Sequence, residues 1–568
     1  MRISIFSKRI FAVILIVVFS YKFDYALILH PVNAKNGMVV SASAIASKVG
    51  VKILKKGGNA VDAAVAVGFA LAVTYPFAGN IGGGGFMVIH LKSGTNTTID
   101  YREKAPGNAF KDMYLDKNGN FEPKLSLEGT TSSGVPGSVA GLIYALKKYG
   151  SMKLKDVIQP AIDLAQNGFP LDYNTAESFK EYLHDFEKYS SSIQKFSKDG
   201  KPYKEGDLFK QPDLASTLKE IKEKGDDGFY KGRVADLLVK QVRSLGGYIT
   251  QKDLEYYKPV ERTPITGTYR GYEIVSMPPP SSGGIALIEL LNILENYKFN
   301  LGEWGSSSYI HKLAEAMKFV FADRTKYLGD PDFVKMPIGE LISKQYAKAI
   351  FDKITDRAIP AKDILPGNFP GFHESTETTH YSIYDKDGNA VSTTTTLNSA
   401  YGSKVVVAGA GFLLNNEMDD FSAKPGVPNQ FGLIGSDANS IGPNKRMLSS
   451  MTPTIVLKDN KPFIIIGSPG GSTIITAVLQ VIMNCIDFNM NIEQAIVKPR
   501  IHEQWLPDEI YYEKYGLSPD VKNNLSKMGY KFGLERSLGL AEGIMIKNSE
   551  GIMYGESDPR GPGSAEGY

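Results

Sequence analysis

The sequence predicts a layered α/β protein built around an antiparallel sheet, with helices on the outside. Three observations carry this expectation. Strand-like runs of β-branched and aromatic residues crowd the stretch after Thr379, and helical patterns apolar on nearly every side flank them. No internal repeat, low-complexity tract or long Gly/Ser linker divides the chain into separate units.

At the N-terminus, basic Arg2, Lys8 and Arg9 precede the uncharged run from Ile10 to Tyr21. That run is short for a membrane span and suits the apolar region of an export signal. Residues 1–26 are therefore read as that signal. Its end is not marked by a clean cleavage triplet: Ala26 is one candidate, and an uncleaved anchor is the alternative. From Ser41 two helices follow. Gly57 and Gly58 stop the first, Asn59 caps the second and Pro76 closes it. The second is Ala- and Val-rich all round, which marks a buried helix. A glycine loop from Gly79 to Gly85 then enters an apolar strand, Phe86 to Leu91.

Residues 153–353 are richer in Lys, Glu and Asp and show helical periodicity, for example from Tyr309 to Tyr327. A helical shell with hairpins is expected there. The Pro/Gly-rich stretch from Ile364 to Gly371 continues through polar residues to Glu377, so 364–377 reads as an exposed loop. The pattern then switches to strands. Thr379 to Tyr384, a turn at 385–389 containing Asp387-Gly388, and Ala390 to Leu397 form a hairpin. Thr454 to Lys458 and Pro462 to Ile466 are further strands, followed by a helix from Thr473 to Ile486.

Composition excludes several functional classes. With 568 residues and 42% hydrophobic residues the chain has material for a large core. Sixty-four basic against 61 acidic residues leave a net charge of +3, too little for broad attraction to nucleic acid or an anionic membrane. The single cysteine, Cys485, cannot form an internal disulfide or a multi-cysteine zinc site and reads as a small buried apolar residue. The seven histidines show no HExxH spacing, and no metal or other cofactor is expected. Export without disulfides fits a bacterial periplasm or cell exterior.

Two segments could carry chemistry. A Thr hydroxyl is a weak nucleophile unless a base takes its proton, and the α-amine of the same residue, with a pKa of about 8, can do so once that residue begins a chain. Thr378 stands at such a place, between an exposed loop and a strand. Taken alone, the pair Thr378-Thr379 reads as ordinary strand residues. The turn Gly467-Ser468-Pro469-Gly470-Gly471-Ser472 follows a strand and opens a helix, so its N–H groups can converge on a developing negative charge. It lacks the Lys of a phosphate-binding loop. The run Gly82-Gly83-Gly84-Gly85 lacks the GxGxxG order and reads as close backbone packing.

An ordered set of motifs then resembles one family. Thr378-Thr379-His380-Tyr381-Ser382, Asn415-Asn416-Glu417-Met418-Asp419-Asp420-Phe421, Pro443-Asn444-Lys445-Arg446, Leu448-Ser449-Ser450-Met451 and Gly467 to Ser472 look like the γ-glutamyltransferase (glutathione hydrolase) family of N-terminal nucleophile hydrolases. Earlier segments extend the likeness: Gly57 to Ala64, Gly82 to Phe86, Tyr101-Arg102-Glu103-Lys104-Ala105-Pro106 and Pro279-Pro280-Ser281-Ser282-Gly283-Gly284. The resemblance implies a four-layer αββα sandwich with a helical shell, formed jointly by two self-cleaved subunits. Cleavage between Glu377 and Thr378 would leave a large subunit, 27–377, and a small catalytic subunit, 378–568.

The same resemblance assigns roles. Thr378 is the nucleophile and Thr396 the second threonine that orients its amine. Gly470 and Gly471 form the oxyanion hole. Arg102, Ser449 and Ser450 hold the α-carboxylate of a γ-glutamyl group, while Asn398, Glu417 and Asp420 hold its α-ammonium. Phe431 falls where bacterial relatives carry a gating tyrosine that bonds the residue matching Asn398, and it lacks the hydroxyl for that latch. The implied substrates are glutathione and other γ-glutamyl donors, with water, amino acids or peptides as acceptors; nucleic acid and a mature membrane span are not expected. A related acylase, a poly-γ-glutamate-processing enzyme and an inactive exported binding protein for glutamate or glutathione stand as alternatives.

Overall fold

The structure is a computed structural model that describes residues 30–366, 379–424, 427, 430 and 437–568. The expected export signal, the loop from 367 to Glu377, Thr378 and Phe431 lie outside the described residues. Two seven-stranded antiparallel sheets form the centre. The strands are β1 (Val32–Ala34), β2 (Gly37–Ser41), β3 (Gly84–His90), β4 (Asn96–Asp100), β5 (Val260–Arg262), β6 (Ile265–Tyr269), β7 (Tyr272–Ser276), β8 (Thr379–Asp385), β9 (Ala390–Thr396), β10 (Thr454–Lys458), β11 (Lys461–Gly467), β12 (Glu542–Lys547), β13 (Ile552–Ser557) and β14 (Ser564–Gly567).

One sheet runs β14-β2-β8-β9-β3-β4-β5 and the other β1-β13-β12-β11-β10-β7-β6. Each draws strands from both sides of the 377/378 junction. The hairpin β8–β9 is central to the first sheet, in a register that pairs Thr379 with Thr395 and Tyr384 with Ala390. Its turn closes because the Asp385 carboxylate accepts the N–H groups of Asp387 (2.9 Å) and Asn389 (3.0 Å), while Gly388 takes φ 97°.

The sheets stack face to face. Hydroxyls cross the interface, where Ser382 Oγ donates to the Glu542 carbonyl (2.9 Å) and Ser392 Oγ to that of Ile466 (3.0 Å). This gives Ser382 and Ser392 a place in strands whose polar residues are buried, every residue of β9 among them. Each hydroxyl that crosses has a fixed partner and so limits the desolvation penalty of a polar core.

Helices α1 (Ala44–Lys55) and α2 (Ala60–Thr74) cover the first sheet, and α3 (Ser138–Tyr149) and α4 (Leu154–Asn167) pack on α2. All fifteen residues of α2 are buried, as its composition predicts. Its start is a capping box: Asn59 accepts from the Asp62 N–H (3.0 Å) and the Asp62 carboxylate accepts from that of Asn59 (2.8 Å). The second sheet is covered by α5 (Gly283–Leu294) and α7 (Thr473–Ile486), with α6 (Ser307–Tyr327) packed on α5. The architecture is thus αββα, with one apolar core between the first sheet and its helices and a second that runs from between the sheets to the helices over the second sheet. The middle third forms the expected helical shell, including the hairpin β6–β7, and Cys485 is buried in α7.

Candidate active site

Arg102 emerges just after β4 and is fully buried. Its backbone is fixed first, since its N–H donates to Asp100 (2.9 Å) and its carbonyl accepts from the Tyr257 hydroxyl (2.7 Å). Its guanidinium then reaches segments more than three hundred residues away. Nε donates to the Met447 carbonyl and Nη2 to that of Leu448, both at 3.2 Å. Nη1 donates to Glu417 Oε1 and Nη2 to Asp420 Oδ2.

Glu417 and Asp420 occupy one 3₁₀ turn, so both carboxylates face the same cation. Two asparagines place that turn. Asn415 accepts the Glu417 N–H (3.0 Å) and donates to the carbonyls of Gly82 (2.9 Å) and Gly134 (2.8 Å). Asn439 donates to the Asp420 carbonyl (2.7 Å) and accepts the Leu448 N–H (3.0 Å), coupling the acidic turn to the serine segment.

That segment is itself paired to the Pro279 to Gly284 motif. Ser449 N–H donates to the Pro280 carbonyl (2.9 Å) and Ser282 N–H to that of Ser449 (2.7 Å). The Ser449 hydroxyl accepts the Met451 N–H (3.1 Å), and Ser450 Oγ accepts from Arg324. Sequence reasoning missed Arg324, which shows only helical periodicity in α6. It also gave no role to Glu103, whose carboxylate lies 3.7 Å from Arg102 and is fully buried. Its place inside the Tyr101 to Pro106 motif was the available signal.

Burial works against the charge on Arg102, but Glu417, Asp420 and Glu103 together outweigh it and raise the guanidinium's pKa. Burial pushes the Glu103 carboxyl up to about 7, partly opposed by Arg102. Burial likewise raises Glu417 well above the carboxylate range, against Arg102 and reinforced by Glu103. Asp420 rises for the same first reason, again opposed by Arg102. One cation faces three buried carboxyls, and neither oxygen of Glu103 nor Oε2 of Glu417 has a hydrogen-bond partner. The cluster has unspent acceptor capacity.

At the end of β9, Thr396 pairs with Gly84 and its hydroxyl accepts the Asn398 N–H (2.7 Å). Asn398 sits at φ 73°, donates to the Asn416 carbonyl (3.0 Å) and leaves its buried Oδ1 without a partner. The glycine run beside it is a packing device, as expected: a Cβ on Gly83 would lie 1.9 Å from the Thr396 carbonyl oxygen.

The turn after β11 holds Gly470 at φ 130° and Gly471 at φ 65°. Their carbonyls accept from Thr473 and Ile474, while neither N–H donates a hydrogen bond among the described residues. This turn is tied to the first sheet through Gly467, which packs on the imidazole of His380, two residues after Thr378. Burial lowers His380 to about 3, and its ring nitrogens face the hydroxyls of Thr394 (2.9 Å) and Ser382 (3.0 Å). It is a neutral packing residue.

The structure therefore brings Arg102, Glu417 and Asp420 into direct contact, with the Ser449-Ser450 segment beside them. Thr396 and Asn398 lie at the end of β9. Glu377, Thr378 and Phe431 lie outside the described residues.

Residues 46–568 match the protein family described as Gamma-glutamyltranspeptidase. The chain is 53% identical over 535 residues to the "Glutathione hydrolase proenzyme" of Escherichia coli (strain K12), covering 94% of this chain and 92% of that protein. Among solved structures it is similar to "Crystal Structure of Helicobacter pylori gamma-Glutamyltranspeptidase", at 53% identity and TM-score 0.57, over 58% of this chain and 94% of that one. It is also similar to a cephalosporin acylase from Bacillus halodurans, at 28% identity and TM-score 0.86, over 96% of this chain and 98% of that one.

Proposed function

The chain belongs to the gamma-glutamyltranspeptidase family, and from that premise we propose that it hydrolyses glutathione and other γ-glutamyl compounds and transfers their γ-glutamyl group to amino acids or peptides. The observation that carries this reading is the buried contact of one guanidinium with two carboxylates, drawn from both sides of the 377/378 junction. A γ-glutamyl group ends in an ammonium and a carboxylate on one carbon. It can insert between those partners, its carboxylate on Arg102 and the Ser449 and Ser450 hydroxyls, its ammonium on Glu417, Asp420 and the unpartnered Oδ1 of Asn398. Charge-assisted bonds of this kind are worth about 1.5–3 kcal/mol each.

In this reading the precursor first cuts itself between Glu377 and Thr378. The Thr378 hydroxyl attacks the Glu377 carbonyl, the peptide nitrogen leaves with a proton, and water opens the resulting ester. The freed α-amine then takes the proton from the Thr378 hydroxyl as its oxygen attacks the γ-carbonyl of the donor. Gly470 and Gly471 donate their N–H groups to the oxyanion. Collapse expels the donor's amine, which receives the proton, and leaves a γ-glutamyl ester on Thr378. Water resolves the ester to glutamate, and an acceptor amine resolves it to a new γ-glutamyl amide. Thr396 orients the Thr378 amine, and Phe431 has no hydroxyl to offer Asn398 as a latch.

Residues 1–26 direct the precursor to the periplasm or cell exterior. No helix among the described residues is long and apolar enough to cross a membrane.

Wild-type protein is expected to run as two bands on a denaturing gel, the smaller beginning at Thr378 by N-terminal sequencing, and Thr378→Ala as one uncut band without turnover. Active wild type that remains uncut refutes the mechanism. The purified enzyme is further expected to prefer γ-glutamyl-p-nitroanilide over glutaryl-p-nitroanilide, which has no ammonium for Glu417 and Asp420; the reverse preference would make it an acylase. Preference for poly-γ-glutamate over the small donor would assign it to polymer processing.

A further inference from the structure

Arg324, in α6, is a fully buried arginine that the catalytic scheme above does not use. Its Nη2 donates to Ser450 Oγ, and its Nε donates to Ser282 Oγ at 3.0 Å. Ser282 in turn donates its hydroxyl proton to the Ser449 carbonyl at 2.8 Å. One guanidinium thus bridges the two motifs that pair to form the serine segment.

The direction of these bonds has a chemical consequence. A guanidinium has only donors, so its contact with Ser450 must use a lone pair of the hydroxyl oxygen. The Ser450 O–H proton is left to point elsewhere, and among the described residues it has no acceptor. Ser449 is in the same state, because its Oγ accepts the Met451 N–H and donates to nothing described. A serine hydroxyl can serve an anion or a cation equally well. Here each hydroxyl already accepts one N–H and keeps its own proton to donate, which favours an anion.

We propose that Arg324 is a positioning residue for the α-carboxylate of the donor: it fixes the Ser450 hydroxyl as a hydrogen-bond donor and places a permanent positive charge behind it. The proposal rests on the γ-glutamyl reading and extends it. The carboxylate then meets two cations, Arg102 directly and Arg324 through Ser450. The acyl chemistry at the γ-carbon, carried by other residues, does not depend on Arg324.

The test compares two donors, γ-glutamyl-p-nitroanilide and 4-aminobutanoyl-p-nitroanilide, which keeps the amine and lacks the carboxylate. Arg324→Gln is expected to raise KM for the first roughly ten- to hundredfold, the loss of a hydrogen bond to a charged group, with kcat changed less than threefold. For the second donor KM should move less than twofold; should wild type turn it over too slowly, its Ki as a competitive inhibitor is read instead. Arg324→Lys should recover part of the affinity, since it retains the charge and a donor. In a Ser450→Ala background Arg324→Gln should add less than threefold, because its effect runs through that hydroxyl.

Equal losses with both donors, or full additivity with Ser450→Ala, would overturn the proposal and leave Arg324 a purely structural group. If Arg324→Gln does not fold, the same comparison is made with Arg324→Lys and Ser282→Ala. Failure of wild type to turn over any γ-glutamyl donor is a distinct result, which refutes the γ-glutamyl reading itself.

Discussion

Replacing Glu103 by Gln tests whether the buried carboxyl cluster takes up a proton on folding. Burial raises Glu103 from 4.5 to about 7, with Arg102 opposing. A carboxyl raised on folding stabilises the folded state below its unfolded pKa and loses that contribution as pH climbs through the folded value. The window is therefore about 4.5 to 7, and stability falls as pH rises across it. A rise of that size corresponds to a destabilisation that grows by roughly 2–3 kcal/mol between pH 5 and pH 8. Gln cannot ionise, so the variant should lack this slope. It also relieves the repulsion that raises Glu417 and can donate to the unpartnered Glu417 Oε2.

For a folded unit spanning residues 31–568 the entropy of unfolding is about 1 kcal/mol per degree, so a change of roughly 2–3 kcal/mol corresponds to about 2 °C. The assay is scanning calorimetry at one scan rate, from pH 5 to pH 8, on wild type and Glu103→Gln. The gap in melting temperature should shift by about 2 °C in favour of the variant as pH rises. Any constant offset from the substitution drops out of that comparison. Curves that stay parallel would show that Glu103 takes up no proton on folding and would refute the reasoning.

Two glycines carry further predictions. Gly470→Ala would set a Cβ 2.5 Å from Thr473 Oγ1 at φ 130°, so the turn must shift and its N–H must move; kcat should fall by about 100-fold or more with KM for a γ-glutamyl anilide little changed, measured by steady-state kinetics. Gly83→Ala would drive a Cβ to 1.9 Å from the Thr396 carbonyl, a contact with backbone that cannot rotate away. A loss of at least about 1–3 kcal/mol is expected, seen as lower soluble yield and melting temperature, whereas Gly94→Ala, with open space around its Cβ, bears only its own φ strain.

Much of the fold was legible locally, and the reason can be named element by element. The first buried helix pair is written in Gly57, Gly58 and Asn59, because a helix stop and an N-cap act within one turn of chain. The hairpin β8–β9 is written in its Asp-Gly turn and flanking β-branched runs. The helix expected from Thr473 to Ile486 has those bounds. Strand ends proved less legible. The strand expected from Phe86 to Leu91 starts at Gly84 and stops at His90, since pairing with β4 and β9, not side-chain character, decides where a ladder begins.

Motif order identified Arg102, Glu417, Asp420 and the serine pair as belonging together, but the sequence alone determined only that they carry the right charges. That Arg102 bonds both acids, that Glu103 crowds the same cation and that Arg324 donates to Ser450 were decided by tertiary structure. Hydrophobic period and local caps report which face of an element is buried. They carry no information about what that face meets when the partner lies more than a hundred residues away. In this chain the sequence determined the layers, the turns and the residue types of the site; the packing of two sheets and their helices decided which carboxyls crowd one cation and which N–H groups each serine hydroxyl accepts.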